Sequence, residues 1–354
     1  MLLADLGADV ILVERPDGKE RAERPLGYLS IINRNKKSMT LDLKSPKGKE
    51  VFNRLVRKSD VFLEGFRPGT TQRMGIDYQS LKNINPKIIY CSITGYGQDS
   101  PYKNYPGHNN TYMGIAGMVH SLPDSPVTYS SNVPIADLTS SMFAALSIVA
   151  ALRTRDSTGR GQYIEVPIVD CALSWMSPSL GVFFATGQLR PEPPATNFYR
   201  TSDGKYISLS VGATDSLWRN LCHALGLTKL AGLSHVEREE KFEELEATMR
   251  EVISHRTRDE WLGILHTADA PCGPVLTLGE LRTDPHIKHR QLVIEIEDNK
   301  GEKVKQVAYP VRFSEVPMTI RKLAPALGED AEAILQELGY TRNEIEDLRK
   351  EGAI

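Results

Sequence analysis

Only four cysteines occur in 354 residues, Cys91, Cys171, Cys222 and Cys272, far apart and with no CxxC pair. That argues against a disulfide framework or a thiolate zinc site, and makes a reducing cytoplasm the expected compartment. Charge of one sign is also lacking: the formal net charge is -2. No overall field draws the chain to nucleic acid or a membrane, so an anionic ligand has to be caught by local cations. No apolar run approaches a bilayer's thickness; the longest, Met142 to Leu152, is about half the needed length. The opening MLLADLGAD has no basic stretch ahead of it, so no secretory signal is expected. Repeats and low-complexity tracts are missing. So are GxSxG, a P-loop, GxGxxG, HExxH and HxxxH, which leaves no metal or nucleotide motif; Gly95-Tyr96-Gly97 is only half of a dinucleotide fingerprint.

What remains is an ordinary globular composition, 40% hydrophobic and 25% charged, long enough for two domains with separate cores. In the first part strand-like and helix-like stretches alternate. Val10–Val13 and Ser38–Leu43 read as strands, and Ser45-Pro46 opens a helix with Val51, Leu55 and Val56 behind it. Asp60–Phe66 is a strand ending in the turn Arg67-Pro68-Gly69. A short helix at Tyr78–Lys82 leads to another strand, Lys87–Thr94. Such alternation predicts an α/β fold with a parallel sheet, and ligands then gather at the carboxyl ends of strands. Arg67 and the loop Gly95–Pro101 fall there.

Gly187–Pro194 (GQLRPEPP) reads as a linker. Beyond it, Asp203-Gly204 between Phe198-Tyr199 and Tyr206–Val211 predicts a hairpin. Helices are expected over Ser216–Leu225, Lys241–Ile253 and Arg258–His266, completing a second, smaller α/β unit. Glu302–Phe313 reads as a strand leading back to the first. Two amphipathic helices close the chain, Asp330–Leu338 and Arg342–Lys350, the latter with a Thr341/Glu344 capping box.

The sharpest chemical candidate is Asp137, where the extended segment Val133–Ala136 meets an uninterrupted helix, Leu138–Arg153. A carboxylate at that junction lies against the positive helix end, which favours its ionised form, the form a nucleophile or base needs. Its plainer role is a helix cap. Arg67 and Arg73 bracket the turn after the third strand and suit phosphate contacts, though two solvated arginines would have the same spacing. Asn33-Arg34-Asn35-Lys36-Lys37 brings three cations ahead of a strand, as a phosphate contact or as a solvated loop. His108, in the loop Pro106–Tyr112, is either a base for a carbon acid or a structural hydrogen-bond donor. Asp269–Val275 reads as a rigid connection, and nothing near Cys272 is set to lower its pKa.

Taken together, several stretches resemble the superfamily of family III CoA-transferases and α-methylacyl-CoA racemases (CaiB/BaiF-like). These are LLADLGADVILVERP at Leu2–Pro16, NRNKKSMTLDL at Asn33–Leu43, DVFLEGFRPGTTQRMG at Asp60–Gly75 and NPKIIYCSITGYGQDSPY at Asn85–Tyr102. PIADLTSSMFAALSIVAALRTRDSTGRGQ at Pro134–Gln162, TSDGKYISLSVGA at Thr201–Ala213 and PCGPVLTLGELRTDPHIKHRQ at Pro271–Gln291 follow in the same order.

The resemblance implies a Rossmann-like large domain built from both chain ends (1–186 and 314–354), a linker (187–197) and a small α/β domain with a return linker (198–313). It implies an interlocked homodimer acting on acyl-CoA and a carboxylic acid, with no separate cofactor or metal, since CoA enters as part of the thioester substrate. By the same resemblance Asp137 would carry a mixed anhydride and then an aspartyl-CoA thioester, and Arg67, Arg73, Lys36 and Tyr112 would contact CoA. In a racemase, Asp137 and His108 would exchange the α-proton of a 2-methylacyl-CoA. GHNNTY and EGFRPG look racemase-like; Asp215, where racemases tend to carry glutamate, and PCGPV look like a transferase. The family pattern also opens with a strand and a CoA-contacting loop ahead of the residues matching Leu2–Pro16. Their absence from this chain leaves a non-catalytic CoA-binding protein as a third expectation. Transfer is the leading one.

Overall fold

The computed structural model describes residues 1–24, 27–119, 133–188, 193–298, 300–316 and 318–354. The chain divides into two units, Met1–Gly181 with Ile294–Ile354, and Val182–Val293.

In the larger unit β1 (Val10–Glu14) and β2 (Lys36–Thr40) form a parallel pair, with Val10 opposite Lys36 and Glu14 opposite Thr40. A second parallel sheet has the order β3 (Val61–Glu64), β4 (Ile89–Thr94), β5 (Gln162–Pro167). Parallel neighbours need crossovers, and helices supply them. The crossover helix Pro46–Lys58 starts where the Ser45 side chain accepts from Gly48 N at 2.9 Å and Pro46 takes the first position. Its Val51, Phe52, Leu55 and Val56 enter the core with Ile88, Tyr90 and the C-terminal Ile334, Leu335, Ile345 and Leu348. Thr341 and Glu344 make the expected capping box on the last helix, Arg342–Lys350.

The long helix runs Ile135–Thr158 and stops at Gly159, whose φ of 69° is the left-handed conformation that glycine adopts freely. It begins earlier than the sequence pattern predicts. Ile135 and Ala136 are helical, not extended, and Pro134 stands at the cap, so Asp137 lies inside the first turn. One face buries Ala136, Ser140, Ala144, Ile148 and Ala151, small enough for the helix to lie close on β4 and β5. The opposite face leaves Leu138, Met142, Leu146 and Val149 exposed. With 24 residues the helix is also long and apolar enough to cross a bilayer. That corrects the expectation from apolar runs alone, because Asp137, Thr139, Ser140 and Ser141 stop the run at Met142 without stopping the helix.

The smaller unit holds an antiparallel sheet of β6 (Thr196–Arg200), β7 (Tyr206–Ser210) and β8 (Cys272–Val275). The Asp203-Gly204 hairpin forms as predicted. Residues Cys272–Val275 form a strand paired with β7 where the sequence reads as a rigid connection: Ser208 faces Gly273, and Leu209 faces Cys272. Helices Asp215–Ala224, Phe242–Ile253 and Arg258–Thr267 pack Trp218, Leu221, Met249, Ile253, Trp261 and Leu265 over this sheet. Of the predicted linker, residues 189–192 lie outside the described residues.

A hairpin of β9 (Val293–Glu297) and β10 (Lys303–Val307) follows. From Ile294 onward the chain packs with the larger unit, earlier than the expected return at 314. The reason is polar. The Arg34 guanidinium donates to the Val307 carbonyl, and Gln306 Nε2 donates to Ser30 O at 3.3 Å. Arg34 also pairs with Asp5 at 2.7 Å, the two side chains being 2% and 3% exposed. Asn35, with φ 59°, donates to Asp5 Oδ1 and accepts from the backbone of Arg321 and Lys322. The charged run before β2 is therefore a buried joint and not a solvated loop.

Candidate active site

Three segments meet at the carboxyl end of β4. After Thr94 the chain turns at Gly95, and Thr94 Oγ1 accepts from Gly97 N at 3.1 Å. Eleven residues on, His108 stands at the start of the short helix Asn109–Ile115. That helix packs on the first turn of the long helix through Tyr112, Met113, Ala116 and Ala136, with Tyr96 beside them. The Tyr112 ring fills a slot made by two glycines. A methyl group added at Gly95 would sit 2.7 Å from it, and one at Gly107 2.5 Å. Its hydroxyl donates to Gly107 O at 2.7 Å, and Tyr96 meets it edge-on at 5.4 Å.

Asp137 is half-buried beside this slot. Its backbone carbonyl accepts from Ser140 and Ser141 hydroxyls at 2.9 and 2.8 Å, while its carboxylate has no hydrogen-bond donor among the described residues. Burial raises the carboxyl above its ordinary pKa, and the charge of His108 pulls the other way without prevailing. The expectation that the helix end would favour the anion is therefore reversed in direction. Desolvation acts on the whole charge, whereas the helix end offers about half a unit. The Tyr112 phenol is raised too, by burial first, then by Tyr96 and Asp137, with Arg67 opposing. Asp137, His108, Tyr112 and Arg67 therefore share one electrostatic neighbourhood.

Two of the predicted site residues stand elsewhere. Arg73, exposed in the helix Thr70–Met74, donates to Thr70 Oγ1 at 3.0 Å. Lys36 opens β2, half-buried, and donates to Asn33 Oδ1 at 2.9 Å; burial lowers its pKa. No contact among the described residues joins either one to Asp137. Burial likewise raises the Cys272 thiol, as an inert cysteine requires. Sequence reasoning missed Asn109, whose Oδ1 accepts from Ala136 N at 2.9 Å. The signal was the asparagine directly after His108. The described residues contain no group of three or more His, Cys, Asp or Glu able to hold a metal.

An aspartate that is half-buried, has no donor among the described residues and feels the charge of a nearby histidine can attack a carbonyl carbon or exchange a proton. The family model described as CoA-transferase family III matches residues 1–331. A succinyl-CoA–L-malate CoA-transferase beta subunit from Chloroflexus aurantiacus is 33% identical, over 100% of this chain and 93% of its own. A succinate–glutarate CoA-transferase from Agrobacterium fabrum is 30% identical, over 95% and 90%. Among solved structures, a CaiB/BaiF family protein from Brucella suis superposes with a TM-score of 0.82 at 32% identity, covering 95% of this chain and 93% of that one.

Proposed function

Because this chain belongs to CoA-transferase family III, we propose that Asp137 is the nucleophile through which it moves CoA from an acyl-CoA to a carboxylic acid. The Asp137 carboxylate attacks the thioester carbonyl, giving a mixed anhydride and free CoA thiolate. The thiolate attacks the aspartyl carbonyl, which releases the donor acid and leaves CoA as a thioester on Asp137. The acceptor carboxylate attacks that thioester, and the freed thiolate then takes the new acyl group and regenerates Asp137. Each step exchanges one acyl–oxygen bond for one acyl–sulfur bond or the reverse, so the thioester's energy is kept throughout.

The observation that carries this reading is the half-buried Asp137 carboxylate, without a donor among the described residues and in the electrostatic neighbourhood of His108 and Tyr112. A nucleophile bound up in hydrogen bonds would be weak, and none of the described residues donates to this one. Arg67 is the first choice for a CoA contact, with Arg73 and Lys36 as further cations. Short dicarboxylates are the natural first acceptors, since the named relatives act on succinate, malate and glutarate. The fold reading extends to a Rossmann-like large unit in an interlocked homodimer. The exposed stripe of Leu138, Met142, Leu146 and Val149 supports a second copy, because contiguous apolar surface of this kind seeks a partner. A cytoplasmic location suits four unpaired cysteines.

The test is chemical trapping with succinyl-CoA and L-malate. Ping-pong kinetics are expected, with borohydride or hydroxylamine modifying Asp137 only during turnover. An unmodified Asp137 under sustained turnover would overturn the reading. One observation favours a second reading, racemisation of a 2-methylacyl-CoA: among the described residues His108 acts electrostatically on Asp137. Deuterium entering the substrate's α-carbon, and lost in His108→Ala, would establish it.

A further inference from the structure

We infer that Asn109 is a positioning residue whose amide holds the first turn of the long helix so that Asp137 is presented to His108 at one set separation. The inference rests on the reading of Asp137 given above. Its geometric basis is a single hydrogen bond from Ala136 N to Asn109 Oδ1, 2.9 Å long. Asn109 directly follows His108, and Ala136 directly precedes Asp137. One bond therefore ties together the two residues that adjoin the reacting pair.

The first N–H groups of any helix lack a partner within it. Here Pro134 has no N–H, Ile135 donates to Val133 O at 2.9 Å, and Leu138 donates to Pro134 O at 2.9 Å. Ala136, fully buried, reaches across to the neighbouring helix instead. The amide's orientation follows from this, because a backbone N–H can only donate and must meet the oxygen. Asn109 Nδ2 then points to Met113 Sδ at 3.3 Å and Asn110 Oδ1 at 3.0 Å. Met113, Tyr96, Tyr112, Ala116, Ala136 and Ala172 pack around the seam, so the clamp is set in a core. An asparagine also supplies the acceptor without charge. A carboxylate here would give the same bond but would repel the anionic form of Asp137.

A plain packing asparagine would make the same contact, and two substitutions separate the roles. Asn109→Leu keeps the size and removes the acceptor. With succinyl-CoA and L-malate, kcat should fall by about 10- to 100-fold, the scale of a small misplacement of reacting groups, while KM for succinyl-CoA stays within about twofold. Asn109→Asp keeps the acceptor and adds charge. It should hold the alkaline plateau of kcat near that of the parent protein, with the acid limb of the pH profile displaced upward. An unchanged kcat in Asn109→Leu overturns the inference. So does an Asn109→Asp plateau as low as that of the leucine variant. Should Asn109→Leu fail to fold, the Asn109→Asp profile alone decides, since a retained plateau with a displaced limb supports the clamp and a lost plateau refutes it. Asp137→Asn is run beside them. Activity surviving there removes the nucleophile, whereas an inactive Asp137→Asn with fully active Asn109→Leu removes only the clamp.

Discussion

At the residue scale the balance on Asp137 decides the pH behaviour. Its pKa is raised by burial against the opposing pull of His108. The acid limb of kcat/KM should therefore lie above the ordinary carboxylate range near about 4. His108→Ala removes the opposing charge and should shift that limb further upward, as a pH–rate series would read. The sign for stability follows as well. A carboxyl with a folded pKa above its unfolded value loses stability as pH rises between the two. Asp137→Asn should then melt higher than the parent protein at neutral pH, the gap closing once pH falls below the unfolded value. The residues around Asp137 and His108 singled out each of them, and the family resemblance paired them; their electrostatic coupling is what the structure adds. The direction of the shift was not legible, because burial of Asp137 depends on Tyr112 and the helix beneath it, packed by residues some 25 positions away.

The element that matters most is the helix Ile135–Thr158, with a small-residue face toward the sheet and a large apolar face outward. Its existence was legible in a run free of glycine and proline. Its start was not, since Val133-Pro134-Ile135 reads as strand by β-branching, and the bond from Asn109 that secures the first turn comes from a different element. The outward face carries a prediction about assembly. Leu146, 68% exposed, lies in the middle of the stripe. If the proposed homodimer uses this stripe, Leu146→Glu should lower the mass from dimer to monomer, measured by light scattering on a sizing column. A mass unchanged by the substitution would exclude this stripe from the contact.

At the scale of the whole molecule, the larger unit is closed by pairings between distant parts of the chain. Asp5, Arg34 and the Val307 carbonyl meet in one buried joint, and Arg321 donates to Ala4 O at 2.7 Å beside it. Alternating strands and helices made the α/β class readable, as short-range signals do. The joint was unreadable because NRNKK has the composition of a solvated loop, and only the fold supplies Asp5 as its partner. Removing one member of a buried pair strands the other's charge, at about 3–5 kcal/mol. Asp5→Ala should therefore lower unfolding stability by about that amount in urea, with Arg34→Ala comparable and the double variant far from additive.

The glycine slot around Tyr112 has an implication for how this enzyme could acquire new acids. A Cβ added at either glycine would run into the Tyr112 ring, so the packing around that ring leaves no room for a side chain at Gly95 or Gly107. Diversification is then pushed outward to the rim, where side chains can be exchanged without disturbing that ring or the proposed nucleophile beside it. Directed evolution that randomises Gly95 or Gly107 should return mostly dead clones, and libraries built around the rim should not.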